Sequence, residues 1–555
     1  MPTDCPQRER FGWLGDAQLS FETVIHNIDG GGFYTKWLND FADTQVFDNA
    51  TMGTDGALPD CIPYYGHGHK SADAGWGFAA WSITDQFSDY FADDVFDAAW
   101  YPNMKWYMTN WINAANATSN GLFPIFFWGD WANYVPGPYA FKTPEYPQFF
   151  YIRALEITAK FAARLGHADD AQLYSGLALA ARDLYKTHFY NASNGCFANC
   201  TYVSQVFALT LGLAGPQGSP TEVDAWARAM EWWSADATKG IPEHFGGGII
   251  SLKYALPLLD AHGETGLALK MHLQSDQPPG FGYWIEVGGA TTLWEAYDMT
   301  ATDGGDSRNH IMFGAAGSWY YSSLAGLGRA PASRAWQNLV IAPPGADDVL
   351  AQLHFAGASI DSSMGLVAAS WTDGDAPNVG AVCAEGPEHA VLNLACKGGG
   401  TFSSVAFVSF GTPTGGCTGA VAPAVNATCD AAAAAAFVAA ACVGKSACSI
   451  PVEVSKFGPD PCFDVPKHMI VALDGDCAAT IFSVGATVPV GATATVRVPT
   501  RGHAATAVVT EGGAVAWRAG AYVPGVSGIA GAAAAGDAVV FTVGSGTYAF
   551  EVSPE

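Results

Sequence analysis

The first sixteen residues, MPTDCPQRERFGWLGD, place Asp4, Arg8, Glu9, Arg10, Trp13 and Asp16 within one short stretch. A second stretch, GFGYWIEVGGATTLWEAYD, carries Glu286, Trp294, Glu295 and Asp298. Splitting a glycosidic bond needs one carboxylic acid to protonate the departing oxygen. It also needs a second carboxylate to activate water or to attack the sugar. Trp13, Trp76, Trp128, Trp131 and Trp294 offer flat apolar faces on which a sugar ring stacks. The competing reading is a solvated ion-pair cluster of Arg8, Glu9 and Arg10, with the tryptophans in a core.

Glu9 and Glu295 lie 286 residues apart, so only a fold that returns its last loops to its first can bring them together. The sequence up to about residue 328 reads as helices joined by aromatic, Gly-rich loops. In YPQFFYIRALEITAKFAARLGHADDAQ, Phe149, Ile152, Leu155, Ala159 and Ala162 recur at helical spacing, Gly166 caps the end, and a second periodic helix follows. In TEVDAWARAMEWW, Thr221 and Asp224 give a capping-box pattern. Repeated helix pairs predict an α/α toroid with the site at one mouth. Beyond residue 330 the composition shifts to short Val/Thr/Gly/Ala stretches such as GATATVRVPT, which predict antiparallel strands. The alanine runs at 431–436 and 532–535 read as compositional drift.

With 25 Lys+Arg against 52 Asp+Glu, the net charge of −27 repels nucleic acid and anionic membranes. No transmembrane helix and no signal peptide are predicted. Eight of the 12 cysteines fall between Cys383 and Cys477, the pattern of a disulfide framework in an oxidising compartment. The C-x5-C of Cys442 and Cys448, without C-x2-C pairs, argues against zinc. Asn49, Asn116, Asn191, Asn199 and Asn426 each open an N-x-S/T triplet. Together these features predict a secreted or extracellular protein, or a vacuolar or lysosomal one, whose natural N-terminus and signal peptide are missing.

PTDCPQRERFGWLGD resembles the signature of the α-L-rhamnosidases of glycoside hydrolase family 78, and GATTLWE resembles the second hallmark of that family. GWG at 75–77, GDW at 129–131 and NHIMFGAAGSWYY at 309–321 fall in the family's order. The resemblance implies Glu9 as general acid and Glu295 as general base of an inverting hydrolysis, with carboxylates about 6.5–9.5 Å apart. It implies Asp4, Arg8 and Asp16 on the rhamnose hydroxyls, with Trp13, Trp76 and Trp131 lining the pocket and His310 on the last loop. Alternatives stand beside these roles: Asp16 as a helix cap, His310 as a satisfied core histidine, and Glu286 as rival to Glu295. Phe78 replaces the acidic residue that usually follows GWG, and the stretch from Glu295 to His310 is short for the family. In the family the residue before PTDCPQRER is commonly aliphatic, so Met1 is expected to be an internal methionine.

The cysteine block, with CVGKSACSIPV and FGPDPC, resembles the galactose/rhamnose-binding lectin domain of egg lectins and latrophilin-type receptors. That resemblance implies the pairs Cys383–Cys417, Cys396–Cys477, Cys429–Cys462 and Cys442–Cys448. It implies sugar contacts from Glu385, Asp460 and Lys467, while Phe410-Gly411-Thr412 stands where the family has Tyr-Gly-Arg.

The expected architecture is thus multidomain α + β. It comprises a six-hairpin-type toroid over 1–328, a β-sandwich over 329–382 and 478–555, and an inserted disulfide-rich α/β lectin-like module over 383–477. The first toroid helices are expected to be missing. The expected function is removal of terminal α-L-rhamnose from glycans, polysaccharides or glycosides, with galactose- or rhamnose-bearing glycans as partners of the module. No cofactor, metal, nucleic acid or membrane is expected to take part. The alternative is a non-catalytic carbohydrate-binding protein on a degenerate barrel.

Overall fold

The computed structural model describes residues 2–52, 55–125, 127–134, 143–299, 306–373, 382–396, 401–417, 422–475 and 481–553, apart from the side chains of 47–52. The chain divides into two units, Met1–Tyr320 with Ala332–Ala335, and Tyr321–Pro331 with Trp336–Glu555. The division falls ahead of residue 328 because Leu327–Arg329 is a strand, paired antiparallel with Asn338–Ile341.

The first unit is a helical six-hairpin domain. Its helices begin and end where local chemistry dictates. Asp93 caps Asp94–Asn116 by accepting from the N–H groups of Val95 (3.1 Å) and Phe96 (2.9 Å). Tyr146–Arg164 stops at Gly166, whose φ of +80° lets the chain turn into its antiparallel partner Ala168–Phe189. Phe149, Ile152, Leu155, Ala159 and Ala162 are all buried, as their periodicity predicts, and each large one contributes about 1.5–3 kcal/mol of burial. The helix Pro220–Trp233 starts earlier than its capping-box pattern predicts. Pro220 fixes the first helical φ, so Ser219 takes the N-cap position, and Glu222 accepts from the Gly218 N–H at 2.8 Å. Among the described residues no helix is long and apolar enough to cross a membrane.

In the second unit, a seven-stranded antiparallel sheet contains Phe355–Ser362, Gly365–Asp373, Phe482–Val488 and Gly546–Ser553 as consecutive neighbours. A five-stranded sheet contains Thr493–Pro499, which pairs parallel with Asn338–Ile341 and antiparallel with Ala538–Val543. Residues 482, 484, 486 and 488 alternate into the core, where Phe482 stacks on Trp371. Asp373 lies opposite Phe482 across a strand pair, so the cysteine-rich segment occupies the connection between two neighbouring strands.

That segment has its own core of Leu392, Phe402, Phe410, Val438, Phe457 and Val471. Three strands, Val382–Pro387, His468–Gly475 and Phe402–Gly411, form one sheet, and Val391–Ala395 pairs with Ala447–Pro451. The disulfides Cys383–Cys417, Cys429–Cys462 and Cys442–Cys448 are formed. The expected partner of Cys396, Cys477, lies outside the described residues. The alanine runs are not drift. Ala434–Cys442 is a helix over the segment's core, and 532–535 belong to the strand Ile529–Ala535. A further disulfide, Cys196–Cys200, joins the helical unit, where Cys5 and Cys61 are buried thiols.

Candidate active site

The opening stretch forms a loop clasped by its own aspartate. The Asp4 N–H donates to the Phe11 carbonyl (3.0 Å), Phe11 N–H donates back to Asp4 Oδ1 (2.8 Å), and the Cys5 thiol donates to Oδ2 (2.9 Å). Asp4 is buried, and these bonds make it the clasp of the loop. Glu9 leaves this loop with its Oε2 accepting from Trp13 Nε1 at 2.7 Å. Trp13 is the extended residue before the helix Leu14–Asn27, and its backbone bridges to Cys61.

The second stretch hangs on Trp294, which is buried against Trp284 and is not a sugar-facing ring. The next residue, Glu295, is held from both ends. Its N–H donates to the Ser307 carbonyl (2.9 Å), and Ser307 N–H donates to Oε2 (2.5 Å). Arg8 Nη2 donates to both carboxylate oxygens at 2.6 Å, and Gln7 Nε2 donates to Ser307 Oγ at 2.6 Å. The first and last loops are therefore sewn together by charge-assisted hydrogen bonds. Glu286 ends the helix Phe281–Glu286 exposed to solvent and away from this junction.

Between the loops lies a cavity of about 190 Å³, lined by Glu9, Trp13, Asp16, Trp76, Trp128, Trp131, Glu295, His310 and Met312. All of these but Met312 are residues the sequence singles out as site candidates. Asp4 and Arg8 are not among the lining residues; Asp4 clasps the first loop and Arg8 binds Glu295. Asp16 sits in the first helical turn but makes no cap bond. Its Oδ1 lies 3.3 Å from His310 Nδ1, and both atoms are buried without a hydrogen-bond partner. Burial, then the charges of Asp4, Glu9 and Glu295, raise the Asp16 carboxyl well above the usual range. Burial lowers His310. Two buried polar atoms without a protein partner thus stand on residues lining the cavity, ready for hydroxyl groups.

The tryptophans are set by glycines and buried carboxylates. At Gly15 a Cβ would lie 2.5 Å from the Trp76 ring, so only glycine seats that indole. Trp128 packs edge-on to Trp13 and Trp131, with centroids 5.7 Å away in each case. Its Nε1 donates to Asp60 Oδ2 at 2.9 Å, and its backbone N–H donates to Asp73 Oδ2 at 2.9 Å. Asp130, beside Trp131, accepts from the N–H groups of Gly248, Ile250 and Ser251 and from Ser251 Oγ, at 2.7–3.0 Å. Sequence reasoning passes over Asp60, Asp73, Asp130, Ser307 and Met312. The available signal was the aspartate beside each aromatic motif, in ADAGWG and GDW. Among the described residues no cluster of His, Cys, Asp and Glu is placed to hold a metal ion.

In the cysteine-rich segment, Glu385 Oε2 accepts from the Cys417 N–H (3.2 Å) and lies 3.8 Å from His468 Nε2. Lys467 Nζ lies 3.1 Å from Asp460 Oδ1. Asp460 is held below the usual carboxylate range, first by the Cys462 N–H and then by Lys467. Phe410 turns fully into the core against Phe457, so this position presents no hydroxyl.

Residues 1–324 match the bacterial alpha-L-rhamnosidase six-hairpin glycosidase domain, and residues 394–475 match the D-galactoside/L-rhamnose binding SUEL lectin domain. An alpha-L-rhamnosidase of Streptomyces avermitilis is 29% identical over 370 residues, covering 64% of this chain and 32% of that protein. One from Formosa agariphila is 27% identical over 389 residues, covering 67% of this chain and 38% of that protein. The chain thus spans about a third of the length of these curated relatives. Among solved structures, the alpha-L-rhamnosidase from Dictyoglumus thermophilum superposes with a TM-score of 0.69 at 23% identity, covering 100% of this chain and 47% of that one. The Streptomyces avermitilis enzyme complexed with L-rhamnose gives a TM-score of 0.65 at 22% identity, covering 100% of this chain and 39% of that one. The chain belongs to the bacterial α-L-rhamnosidase six-hairpin glycosidase family and carries a SUEL lectin domain.

Proposed function

We propose that the helical unit hydrolyses terminal α-L-rhamnosides with inversion, and that the lectin domain holds the enzyme on rhamnose- or galactose-bearing glycans. The observation that carries this reading is the single cavity lined by both Glu9 and Glu295 together with four tryptophans. Glu9 donates a proton to the glycosidic oxygen as the C–O bond breaks. Glu295 takes a proton from the water that attacks the anomeric carbon, giving free L-rhamnose and the leaving alcohol. The Trp13 N–H donates to Glu9 Oε2 and Arg8 Nη2 lies 3.6 Å from Oε1, so the carboxyl is oriented from both sides. Arg8 and Ser307 fix the Glu295 carboxylate, whose remaining lone pair, on Oε1, accepts from water. Asp16 and His310 hold sugar hydroxyls, and the indoles and Met312 cover the apolar face of the 6-deoxy sugar.

The barrel is proposed to end just ahead of the strand Leu327–Arg329, close to the expected bound at 328, with the sandwich running to 382 and over 478–555 and the lectin-like module over 383–477. The disulfides of the module support an extracellular setting. Tethering by the module raises the local concentration of substrate at the barrel. The test is hydrolysis of an aryl α-L-rhamnoside by the wild type, Glu9→Gln and Glu295→Gln. Each variant is expected to lose roughly 10²–10⁴-fold in kcat. Full activity in both variants contradicts the assignment, and rhamnose binding without turnover by the wild type selects the non-catalytic alternative.

A further inference from the structure

Against the Trp13 and Trp128 wall of the cavity lies an aromatic surface that the acid, the base and the sugar-holding residues do not use. It is built from the segment YYGHGH at 64–69, with Phe11 and Phe127. The segment presses directly on the cavity wall. At Gly68, where φ is +72°, a Cβ would meet the Asp60 side chain at 2.6 Å and the Trp13 ring at 3.2 Å. Only a glycine permits that approach.

The rings around it are ordered by one another. His67 lies 4.3 Å from Phe11, with Tyr65 6.4 Å from the same ring. His69 stacks on Phe127 at 3.7 Å and lies 5.0 Å from Trp128, itself part of the cavity wall. The His69 imidazole is fixed by Asp60, whose Oδ2 accepts from the His69 backbone N–H (2.7 Å) and faces its Nδ1 at 2.8 Å. With Nδ1 so engaged, Nε2 is the ring nitrogen that faces away from Asp60. These rings nevertheless stay open to solvent: Tyr65 is 65% exposed and Phe127 36%. Large aromatic faces held rigid in water present contact area at little entropic cost to whatever covers them.

Their position says which part of a substrate that is. Trp13, the ring touched by this segment, is the residue whose indole N–H binds Glu9. The acid must reach the oxygen of the departing group, so the Trp13 side of the cavity is where that group leaves. We propose that the 64–69 segment with Phe11 and Phe127 is the leaving-group subsite, which receives the flat face of the ring bearing the scissile oxygen. A second pyranose and a planar aromatic ring share that chemistry. This inference rests on the rhamnosidase reading of the cavity and deepens it by stating the class of leaving group.

The experiment measures kcat/KM of the full chain on three substrates: an α-L-rhamnosyl disaccharide, a naphthyl α-L-rhamnoside, and α-L-rhamnosyl fluoride, whose leaving group has no ring. Tyr65→Ala and Phe127→Ala are each expected to lower the ratio of ring-bearing substrate to fluoride about three- to tenfold. Tyr65→Phe, which keeps the ring, restores the ratio. Loss confined to the disaccharide identifies a pyranose, and loss confined to the naphthyl substrate identifies an aromatic ring. Unchanged ratios, or an equal loss on fluoride, overturn the subsite while leaving the rhamnosidase reading intact. No turnover of fluoride by the wild type overturns that reading, and the subsite with it.

Discussion

In the helical unit most polar groups around the cavity are buried and spent on hydrogen bonds within the protein, while Glu9 keeps about a third of its side-chain surface. Asp60, Asp73 and Asp130 have almost no exposed surface and between them organise the backbone carrying Trp76, Trp128 and Trp131. In the lectin-like module the corresponding groups lie in the open: Glu385 and Asp460 keep about a third of their side-chain surface. The barrel builds a preorganised, partly dry site in which electrostatic interactions are strong. The module presents a wet edge of a sheet, with Phe410 withdrawn into its core. A site of the first kind suits bond breaking, and one of the second kind suits weak, repeatable attachment.

The contrast is broken or sharpened first by pH. His272, in the helix Thr265–Leu273, is buried against Trp319, and burial lowers it to about 4. Its native form is neutral between about pH 4 and 6.5, while the unfolded chain is protonated there. The unfolded state then binds more protons, so this residue's contribution to stability falls as pH drops through that window, by about 3 kcal/mol in all. Buried carboxylates with raised values, Asp16 among them, act with the opposite sign on acidification. The readout is therefore the difference in denaturant-unfolding free energy between the wild type and His272→Phe, at pH 6.5 and at pH 4. A difference independent of pH would remove the distinction between the two interiors.

A much smaller effect is expected in the module. Glu385→Ala alters a partly exposed carboxylate at a sheet edge, so stability should move by less than about 0.5 kcal/mol. Retention on a rhamnose-bearing polymer should weaken. A loss of several kcal/mol on thermal or denaturant unfolding would mean that Glu385 is structural and the module's edge is not a binding face.

The residues that line the cavity were largely legible in the sequence, because Glu9, Asp16, Glu295 and His310 sit in dense local motifs. Its architecture was not. Nothing in the residue types separates Trp294, which anchors a loop from inside, from Trp128, which faces the cavity. That distinction depends on Asp60 and Asp73, which lie about 55–70 residues from the ring they hold. Asp4 and Arg8 carry the right chemistry for sugar contacts, yet their hydrogen bonds go to the loop and to Glu295. The helices were legible by period, but the start of Pro220–Trp233 was displaced because proline geometry outranks the capping pattern. Ala434–Cys442 could not be told from drift by composition, since its helix is stabilised by packing on the module's core.

The central claim is that Glu9 and Glu295 work as acid and base on one water. It is tested most directly by following the first turnovers on an aryl α-L-rhamnoside by proton NMR, before mutarotation mixes the anomers. The account predicts that β-L-rhamnose appears first. Initial release of the α-anomer would contradict it, since that outcome requires a covalent intermediate and a second displacement.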